Sequence, residues 1–154
     1  MTLARARGLY FEQFVVGEQV ESPGRTVTEG DVYLFAGLSG DHNLIHCDAE
    51  FAKATPFGQR IAHGLLGLAL ASGLAVQCGF IAETVQAFVG LTWKFKGPVF
   101  FGDTIRVRAQ VASTRALPSM GGGLVVMKVE VLNQRQEVVQ QGEWQMLIKG
   151  QPQD

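Results

Sequence analysis

The stretch from residue 61 to residue 82 limits the possible folds most strongly, because it contains no Asp, Glu, Lys or Arg. A helix that is apolar on all sides either crosses a membrane or is buried within a protein. The stretch is long enough to span a bilayer. However, it also carries four glycines together with His63, Ser72 and Gln77, and segments with strand-like alternation follow it. We therefore predict a helix over about residues 62–78 that protein covers on most of its sides.

The second half of the chain alternates between apolar and polar residues in four segments, at residues 91–95, 105–111, 127–131 and 144–148. A period of two residues is typical of a β-strand with one face against a core and the other against solvent. Residues 15–27 alternate weakly and predict one further strand or an extended arm. One long helix followed by antiparallel strands predicts an α+β domain in which a sheet wraps around the helix.

The composition is that of a globular protein, and we predict a single domain over residues 1–154 with its core over about residues 10–149. The formal net charge is −1 and no basic cluster occurs, which argues against a nucleic-acid partner. Two cysteines are too few for a disulfide framework. The first residues lack the apolar region of a secretory signal. These features predict a protein that acts in the cytoplasm and not at a membrane.

Helix signals precede the long apolar stretch. Thr28 and Asp31 have the spacing of an N-terminal cap, and Gly40 is placed to end that helix. Asp48 is placed to cap a second, short helix that Pro56 would close. Between these two helices we predict a non-helical turn.

Asp41 and His46 lie in the predicted turn and are the residues best suited to acid–base chemistry. On a regular helix, a separation of five residues is about 500° of rotation, which would point the two side chains apart. In a turn they can face a common point, where a carboxylate and an imidazole can hold a water molecule and exchange protons near neutral pH. Such a pair suits the addition of water to an activated double bond. The alternative is structural: Asp41 caps the turn and His46 is a surface histidine.

Gly64 begins the predicted apolar helix, where free backbone N–H groups and the helix dipole favour negative charge. Its N–H group could therefore act as an oxyanion hole for the oxygen of a thioester. The alternative is that Gly64 and Gly67 are small only for packing. Ser72 lies about two turns further along the same helix. A helical serine usually bonds to its own backbone, so Ser72 by itself is compatible with a site role or with a local one.

His42 and His46 are four residues apart, which is also a metal-ligand spacing. Asn43 occupies the position at which the zinc-protease motif has its glutamate, although a nearby aspartate could supply a third ligand. We predict no metal site. His63 immediately precedes the apolar helix, and we expect it to orient a loop or to cap the helix.

Three short motifs occur in a fixed order along the chain. Residues 39–48 read Ser-Gly-Asp-His-Asn-Leu-Ile-His-Cys-Asp, residues 61–66 read Ile-Ala-His-Gly-Leu-Leu, and residues 95–99 read Phe-Lys-Gly-Pro-Val. In order and spacing these motifs resemble the hydratase signature, the start of the central helix and the strand-entry motif of the MaoC-like, (R)-specific enoyl-CoA hydratases. The resemblance runs from about Tyr10 to Ile148.

The resemblance implies a hotdog fold, in which a sheet wraps a long helix, and assembly as a homodimer or a dimer of dimers. It implies reversible hydration of trans-2-enoyl-CoA to (R)-3-hydroxyacyl-CoA, with neither a metal nor an organic cofactor. By position, Asp41 and His46 match the catalytic pair of the family, and Gly64 matches its oxyanion-hole residue.

The resemblance also indicates substrate-binding residues. Ser72 matches a serine that lines the site, Asn43 matches a position that we expect to hold the turn, and His63 is assigned to the same group. One position departs from the family pattern, because Leu44 stands where the family usually has proline. Proline would fix the backbone, so this departure affects the expected rigidity of the turn rather than the chemistry.

Two other functions are compatible with the same sequence. A thioesterase on this fold would also use a carboxylate and a helix N-terminus, so the fold alone does not distinguish it. A non-catalytic acyl-CoA-binding protein is the second alternative, and the intact pair of Asp41 and His46 argues against it. The residues leave open which member of the pair is the acid and which is the base, because coupled groups titrate together.

Overall fold

The computed structural model describes residues 8–153, and an antiparallel sheet is its largest element. The predictions that concern residues 1–7 and residue 154 lie outside this range. The strands are β1 (Gln19–Glu21), β2 (Arg25–Thr26), β3 (Val85–Phe95), β4 (Thr104–Leu117), β5 (Gly122–Leu132) and β6 (Val138–Lys149). They pair in the order β1-β4-β5-β6-β3, and β2 also pairs with β4. Every pair is antiparallel.

The long strands have the alternation of buried and exposed residues that their sequences predict. In β4, Ile105, Val107 and Ala109 are completely buried, and the residues between them are partly exposed. Val107 pairs with Val131 of β5, and Ala109 pairs with Val129, so the buried residues of neighbouring strands lie side by side. The four predicted strands are confirmed, and each lies within a longer strand.

Residues 15–27 contribute two short strands, where the sequence predicted one strand or an extended arm. β1 has three residues and β2 has two, and both pair with β4. Strands this short are defined by backbone pairing with a long neighbour more than by their own side chains. Their alternation is therefore weak in the sequence.

The predicted apolar helix is α4, Gly64–Gln77. One face of α4 packs in the core with the buried residues of the sheet, and Leu70 and Leu74 belong to that face. Leu65 and Val76 are 61% and 50% exposed. The prediction that protein covers most sides of the helix is therefore wrong for the single chain, because the sheet covers one face only. Within residues 8–153, no helix has the length and apolar character that crossing a membrane requires.

The first helix, α1 (Glu29–Ser39), begins and ends where the sequence predicts. Thr28 Oγ1 accepts from the Asp31 N–H at 3.1 Å, and the Asp31 carboxylate accepts from the Thr28 N–H at 3.0 Å. Gly40 follows the helix with a φ of 80°, the left-handed conformation that often ends a helix and that glycine adopts readily. This sharp end directs the chain into the turn that carries Asp41.

Two short helices, α2 (Leu44–Cys47) and α3 (Ala49–Lys53), follow the turn. Asp48 caps α3 as predicted, because its carboxylate accepts from the Phe51 N–H at 2.9 Å. The helix ends earlier than Pro56 predicts, because the N–H groups of residues 54 and 55 bond to carbonyls three residues back and tighten the last turn.

Replacement of Leu74 by alanine tests the packing of α4 on the sheet. Leu74 is 2% exposed, so Leu74→Ala removes buried atoms and leaves a cavity, and we expect the free energy of unfolding to fall by about 2–5 kcal/mol. Leu38 in α1 is 86% exposed and provides the control; Leu38→Ala should change this free energy by no more than about 0.5 kcal/mol. Urea denaturation followed by circular dichroism measures both, and equal effects would contradict the buried position of Leu74.

Candidate active site

Short polar side chains shape the turn after α1. The Asp41 N–H donates to Ser39 Oγ at 3.1 Å, and the Asp41 carboxylate accepts from the Asn43 N–H at 3.1 Å. Asn43 then caps α2, because its side-chain oxygen accepts from the Ile45 N–H at 3.4 Å. Bonds of this local kind are typical of Asx turns. They fix the backbone at Asp41, and they agree with the expectation that Asn43 holds the turn.

His46 lies in the helical turn α2 and not in a non-helical segment. The predicted non-helical turn is confirmed for residues 41–43 but is wrong for the residues that follow, because the Asn43 cap allows a four-residue helix to start directly after it. Leu44 is the first residue of α2, a position at which proline also fits a helix. With leucine in place of the family's proline, the backbone angle φ is not fixed by a ring, but the hydrogen bonds within the helix are the same.

The ring of His46 is oriented by a backbone carbonyl. Its Nδ1 atom lies 2.7 Å from the carbonyl oxygen of Ile61, shortly before α4. Because a carbonyl oxygen only accepts, Nδ1 carries the proton in the neutral ring and Nε2 has a free lone pair. The residue is 9% exposed, so the alternative that His46 is a surface histidine is wrong.

His63 contacts both members of the predicted pair. Its Nε2 atom is 2.8 Å from the backbone oxygen of Asp41, and its ring stacks on that of His46 with centroids 3.8 Å apart and 27° between the planes. His63 is buried, and its Nδ1 atom has no hydrogen-bond partner among the described residues. Its side chain does not cap α4. Of the two roles expected from its position, the contacts favour orientation of the loop.

The side chains of Asp41, His46 and His63 converge, because one ligand atom from each lies within 4.8 Å of the others. The predicted pair is thus brought together, whereas His42 is exposed, with its Nδ1 atom 3.3 Å from the Gly40 carbonyl oxygen. Imidazole nitrogens bind zinc at about 2.0–2.1 Å, along the lone pair in the ring plane. The stacked arrangement of the two rings, with 27° between their planes, is unfavourable for both to bind one ion in the ring plane.

Gly64 is the first residue of α4 and lines a cavity of about 560 Å³ together with Leu65, Phe95 and Gln140, among others. The first N–H groups of a helix have no partner within the helix. A Cβ atom on Gly64 would lie 2.8 Å from the Phe95 ring, so packing alone favours glycine here. The packing alternative is therefore supported for Gly64, and it is compatible with a role for the Gly64 N–H group.

Ser72 does not line the Gly64 cavity. Its hydroxyl donates to the Ala69 carbonyl oxygen at 2.6 Å, the local bond that a helical serine commonly forms. Ser72 lines a second cavity of about 380 Å³, with Phe88 and Trp144 among its other lining residues. Its role in substrate binding stays a prediction.

The sequence predictions missed two residues behind the start of α4. Gln140 of β6 is 2% exposed, and its amide nitrogen donates to the Gly64 carbonyl oxygen at 3.0 Å. The indole N–H of Trp93 donates to the side-chain oxygen of Gln140 at 3.0 Å. The strand pattern could have indicated Gln140. Side chains on a strand alternate between its two faces, so Gln140, four residues before Trp144, lies on the same inward face as Trp144.

A helix packed on an antiparallel sheet is the architecture of a hotdog protein, and solved structures confirm this class. A conserved hypothetical protein from Mycobacterium tuberculosis, described as having a double hotdog fold, superposes with a TM-score of 0.82 over 98% of this chain and 47% of its own, at 20% identity. The monoamine oxidase regulatory protein from Archaeoglobus fulgius superposes with a TM-score of 0.86 at 40% identity, over 95% of this chain and 97% of its own. The unliganded R-hydratase PhaJ1 from Pseudomonas aeruginosa superposes with a TM-score of 0.79 at 33% identity, over 94% of this chain and 88% of its own.

The model of the MaoC like domain matches residues 11–133, and the chain belongs to this family. It is 39% identical over 110 residues to the 3-hydroxybutyryl-CoA dehydratase of Methylorubrum extorquens, covering 71% of this chain and 68% of that protein. It is 40% identical over 109 residues to the (R)-specific enoyl-CoA hydratase of Rhodospirillum rubrum, covering 71% of this chain and 72% of that protein. Protein MaoC of Klebsiella aerogenes is 42% identical over 100 residues, which are 64% of this chain but 29% of that protein.

The two buried histidines should carry their protons on opposite nitrogens when both rings are neutral. The Ile61 carbonyl requires the proton of His46 on Nδ1, and the Asp41 carbonyl requires that of His63 on Nε2. Nitrogen-15 chemical shifts of the two labelled rings, assigned with His63→Asn, measure the tautomers. Nε2 protonation of His46 would contradict the orientation of its ring.

Proposed function

We propose that this chain is an enoyl-CoA hydratase that interconverts trans-2-enoyl-CoA and (R)-3-hydroxyacyl-CoA. The observation that carries the proposal is the convergence of Asp41 and His46 within 4.8 Å, close to the N-terminus of α4. The names of two relatives support it, since one is an (R)-specific enoyl-CoA hydratase and the other a 3-hydroxybutyryl-CoA dehydratase. Hydration and dehydration are the two directions of one reaction.

In the proposed reaction, Asp41 and His46 hold one water molecule between them. One member of the pair takes a proton as the water oxygen bonds to the β-carbon of the enoyl group. The pair then delivers a proton to the α-carbon, so that one water molecule is added overall and the enzyme returns to its starting state. The lone pair on His46 Nε2 can accept a proton, and so can the carboxylate of Asp41. The two groups act as a coupled unit.

The N–H group of Gly64 would stabilise the charge that develops on the thioester oxygen. Attack at the β-carbon moves electrons onto this oxygen and gives it enolate character. A backbone N–H group at the start of a helix is suited to this charge, and loss of one such donor costs roughly 3–4 kcal/mol in comparable sites. The carbonyl of Gly64 points into its own helix and to Gln140, so the N–H is the group available for this role.

We further propose that the chain forms a homodimer through β3, singly or as a dimer of dimers. β3 has 11 residues and lies at the end of the sheet, so one of its edges has no neighbouring strand among residues 8–153. Phe88, Leu91 and Phe95 of this strand are 47%, 43% and 54% exposed. A long apolar edge of this kind is a template for pairing, and a second copy could pair with it about a two-fold axis. Because Phe95 and Leu65 also line the Gly64 cavity, such a dimer would enclose that cavity.

The remaining assignments follow from this proposal. The proposed partner of the chain is an acyl-CoA thioester, and Asn43 and His63 hold the pair that acts on it, whereas a role of Ser72 in substrate binding would lie in the separate cavity that Ser72 lines. Cys47 and Cys78 are free thiols, and burial raises the pKa of the Cys78 thiol, which lowers its reactivity. Free thiols suit a reducing compartment, so we infer that the protein acts in the cytoplasm.

Replacing either member of the pair should abolish hydration. We expect Asp41→Asn and His46→Gln each to lower the turnover of crotonyl-CoA by at least about 100-fold, while circular dichroism shows an unchanged fold. The loss of absorbance of the conjugated thioester measures turnover. His42→Gln is the matched control, because His42 is adjacent in sequence and exposed, and it should retain activity. Near-normal turnover by either pair variant would end the proposal, and release of free coenzyme A thiol by the wild type would favour a thioesterase instead.

The dimer proposal predicts that a charge on the free edge of β3 separates the subunits. Leu91→Lys places an ammonium group where the second copy would pack, so we expect the molar mass in solution to fall to that of one chain. Light scattering after size-exclusion chromatography measures the mass. Leu38→Lys is the control, because Leu38 is an exposed leucine of α1 outside the sheet, and it should leave the mass unchanged. A wild-type chain that is already monomeric would refute the dimer.

A further inference from the structure

A polar bridge connects the sheet to the start of α4, and it consists of Trp93, Gln140 and the carbonyl of Gly64. The Trp93 indole donates to the Gln140 side-chain oxygen at 3.0 Å, and the Gln140 side-chain nitrogen donates to the Gly64 carbonyl oxygen at 3.0 Å. Gln140 is 2% exposed. Burying a primary amide is costly unless its donor and acceptor are both bonded. The bridge meets this condition by fixing one atom of the amide to the sheet and the other to the helix.

The helix is shaped to accept this bridge. A Cβ atom on Gly67 would overlap the side-chain nitrogen of Gln140, so only glycine leaves room for the amide beside the first turn of α4. On another side of the same turn, Gly64 leaves room for the ring of Phe95. Different neighbours therefore require the two glycines: the Phe95 ring requires Gly64, and the Gln140 amide of the polar bridge requires Gly67.

The first turn of α4 has little local support within the helix. It begins with glycine, the residue with the greatest backbone freedom, and the side chain of His63 does not cap it. An oxyanion donor is effective only when it lies 2.7–3.1 Å from the developing charge. Misplacement of a catalytic group by about 1 Å can cost a factor of about 100 in rate.

We propose that Gln140, held by Trp93, is a positioning residue that fixes the direction of the Gly64 N–H group for catalysis. This inference rests on the proposed hydratase function. Gln140 does not touch the reacting atoms in this scheme. It holds the carbonyl of the peptide that follows Gly64, and by ordering the first turn it also fixes the N–H group of Gly64 itself.

Removal of the bridge should lower kcat more than it raises KM. Gln140→Met keeps the length of the side chain but neither hydrogen bond, and we expect kcat for crotonyl-CoA to fall roughly 10- to 100-fold. KM should change by less than about threefold, because the bridge positions a donor that stabilises the transition state and does not itself bind the substrate. An unchanged kcat, or a loss confined to KM, would overturn the positioning role.

Gln140→Glu provides a rescue that depends on pH. A protonated carboxyl group has the same pattern as the amide, with an oxygen that accepts from Trp93 and an O–H that donates to Gly64. The ionised form has no donor for the Gly64 carbonyl, and burial raises the pKa of such a carboxyl group. The ratio of kcat in Gln140→Glu to kcat in the wild type should therefore be near one at low pH and fall as the pH rises. A ratio that does not vary with pH would contradict the role of the donor.

Gly67→Ala breaks the bridge without touching Gln140 and serves if Gln140→Met fails to fold. Alanine is the better helix former, so loss of kcat in a stably folded Gly67→Ala would come from displacement of the amide. Gly37→Ala in α1 is the matched control, because a Cβ atom there meets no atom within 4 Å. This control should leave kcat unchanged, and a normal kcat in Gly67→Ala would overturn the proposal.

Amide hydrogen exchange separates failure of this inference from failure of the proposed function. In Gln140→Met, the amide of Gly67, which donates to the His63 carbonyl oxygen at 3.2 Å in the first turn of α4, should exchange faster than in the wild type, while the amides in the middle of α4 are unaffected. This measurement does not require an active enzyme. Unchanged exchange would refute the anchor whatever the reaction is, whereas faster exchange in a wild type that does not hydrate crotonyl-CoA would refute only the function.

Discussion

Packing of one face of α4 against the antiparallel sheet is the interaction on which the rest of the structure depends. Leu70 and Leu74 of the helix lie in one core with the inward residues of β4, β5 and β6. This contact buries the inward face of the apolar helix. It also fixes the position of the helix N-terminus, and the candidate site is built around that end.

The candidate site gathers at the start of α4 because backbone groups there orient its side chains. The Ile61 carbonyl holds Nδ1 of His46, and His63 joins the ring of His46 to the backbone of Asp41. Gly64 follows directly with its N–H group at the helix end. Residues 61–64 thus orient the His46 ring, contact the backbone of Asp41 and carry the N–H group that we propose as the oxyanion donor. The turn after α1 supplies Asp41 and α2 supplies His46, while Ile61 and His63, before α4, bond to the His46 ring and to the Asp41 backbone.

Two groups of buried polar residues support this arrangement. The bridge through Gln140 lies behind the helix start, and the stacked histidines lie beside it. On the exposed side of α4, Leu65 lines one cavity together with Phe95 of β3, and Val76 lines another together with Phe88 of β3. The same helix therefore joins the core, the site and the proposed contact between subunits.

The sequence by itself determined the elements whose signals are local. The period-two segments predicted the four long strands, Thr28 and Gly40 predicted both ends of α1, and three ordered motifs indicated the family and the pair of Asp41 and His46. It did not show that His46 lies in a helical turn, that β1 and β2 are separate strands, or that one side of α4 stays exposed. Nor did it show that Gln140 bonds to Gly64. These features arise from contacts between residues distant in the chain, which a local pattern does not encode, so only the tertiary structure decided them.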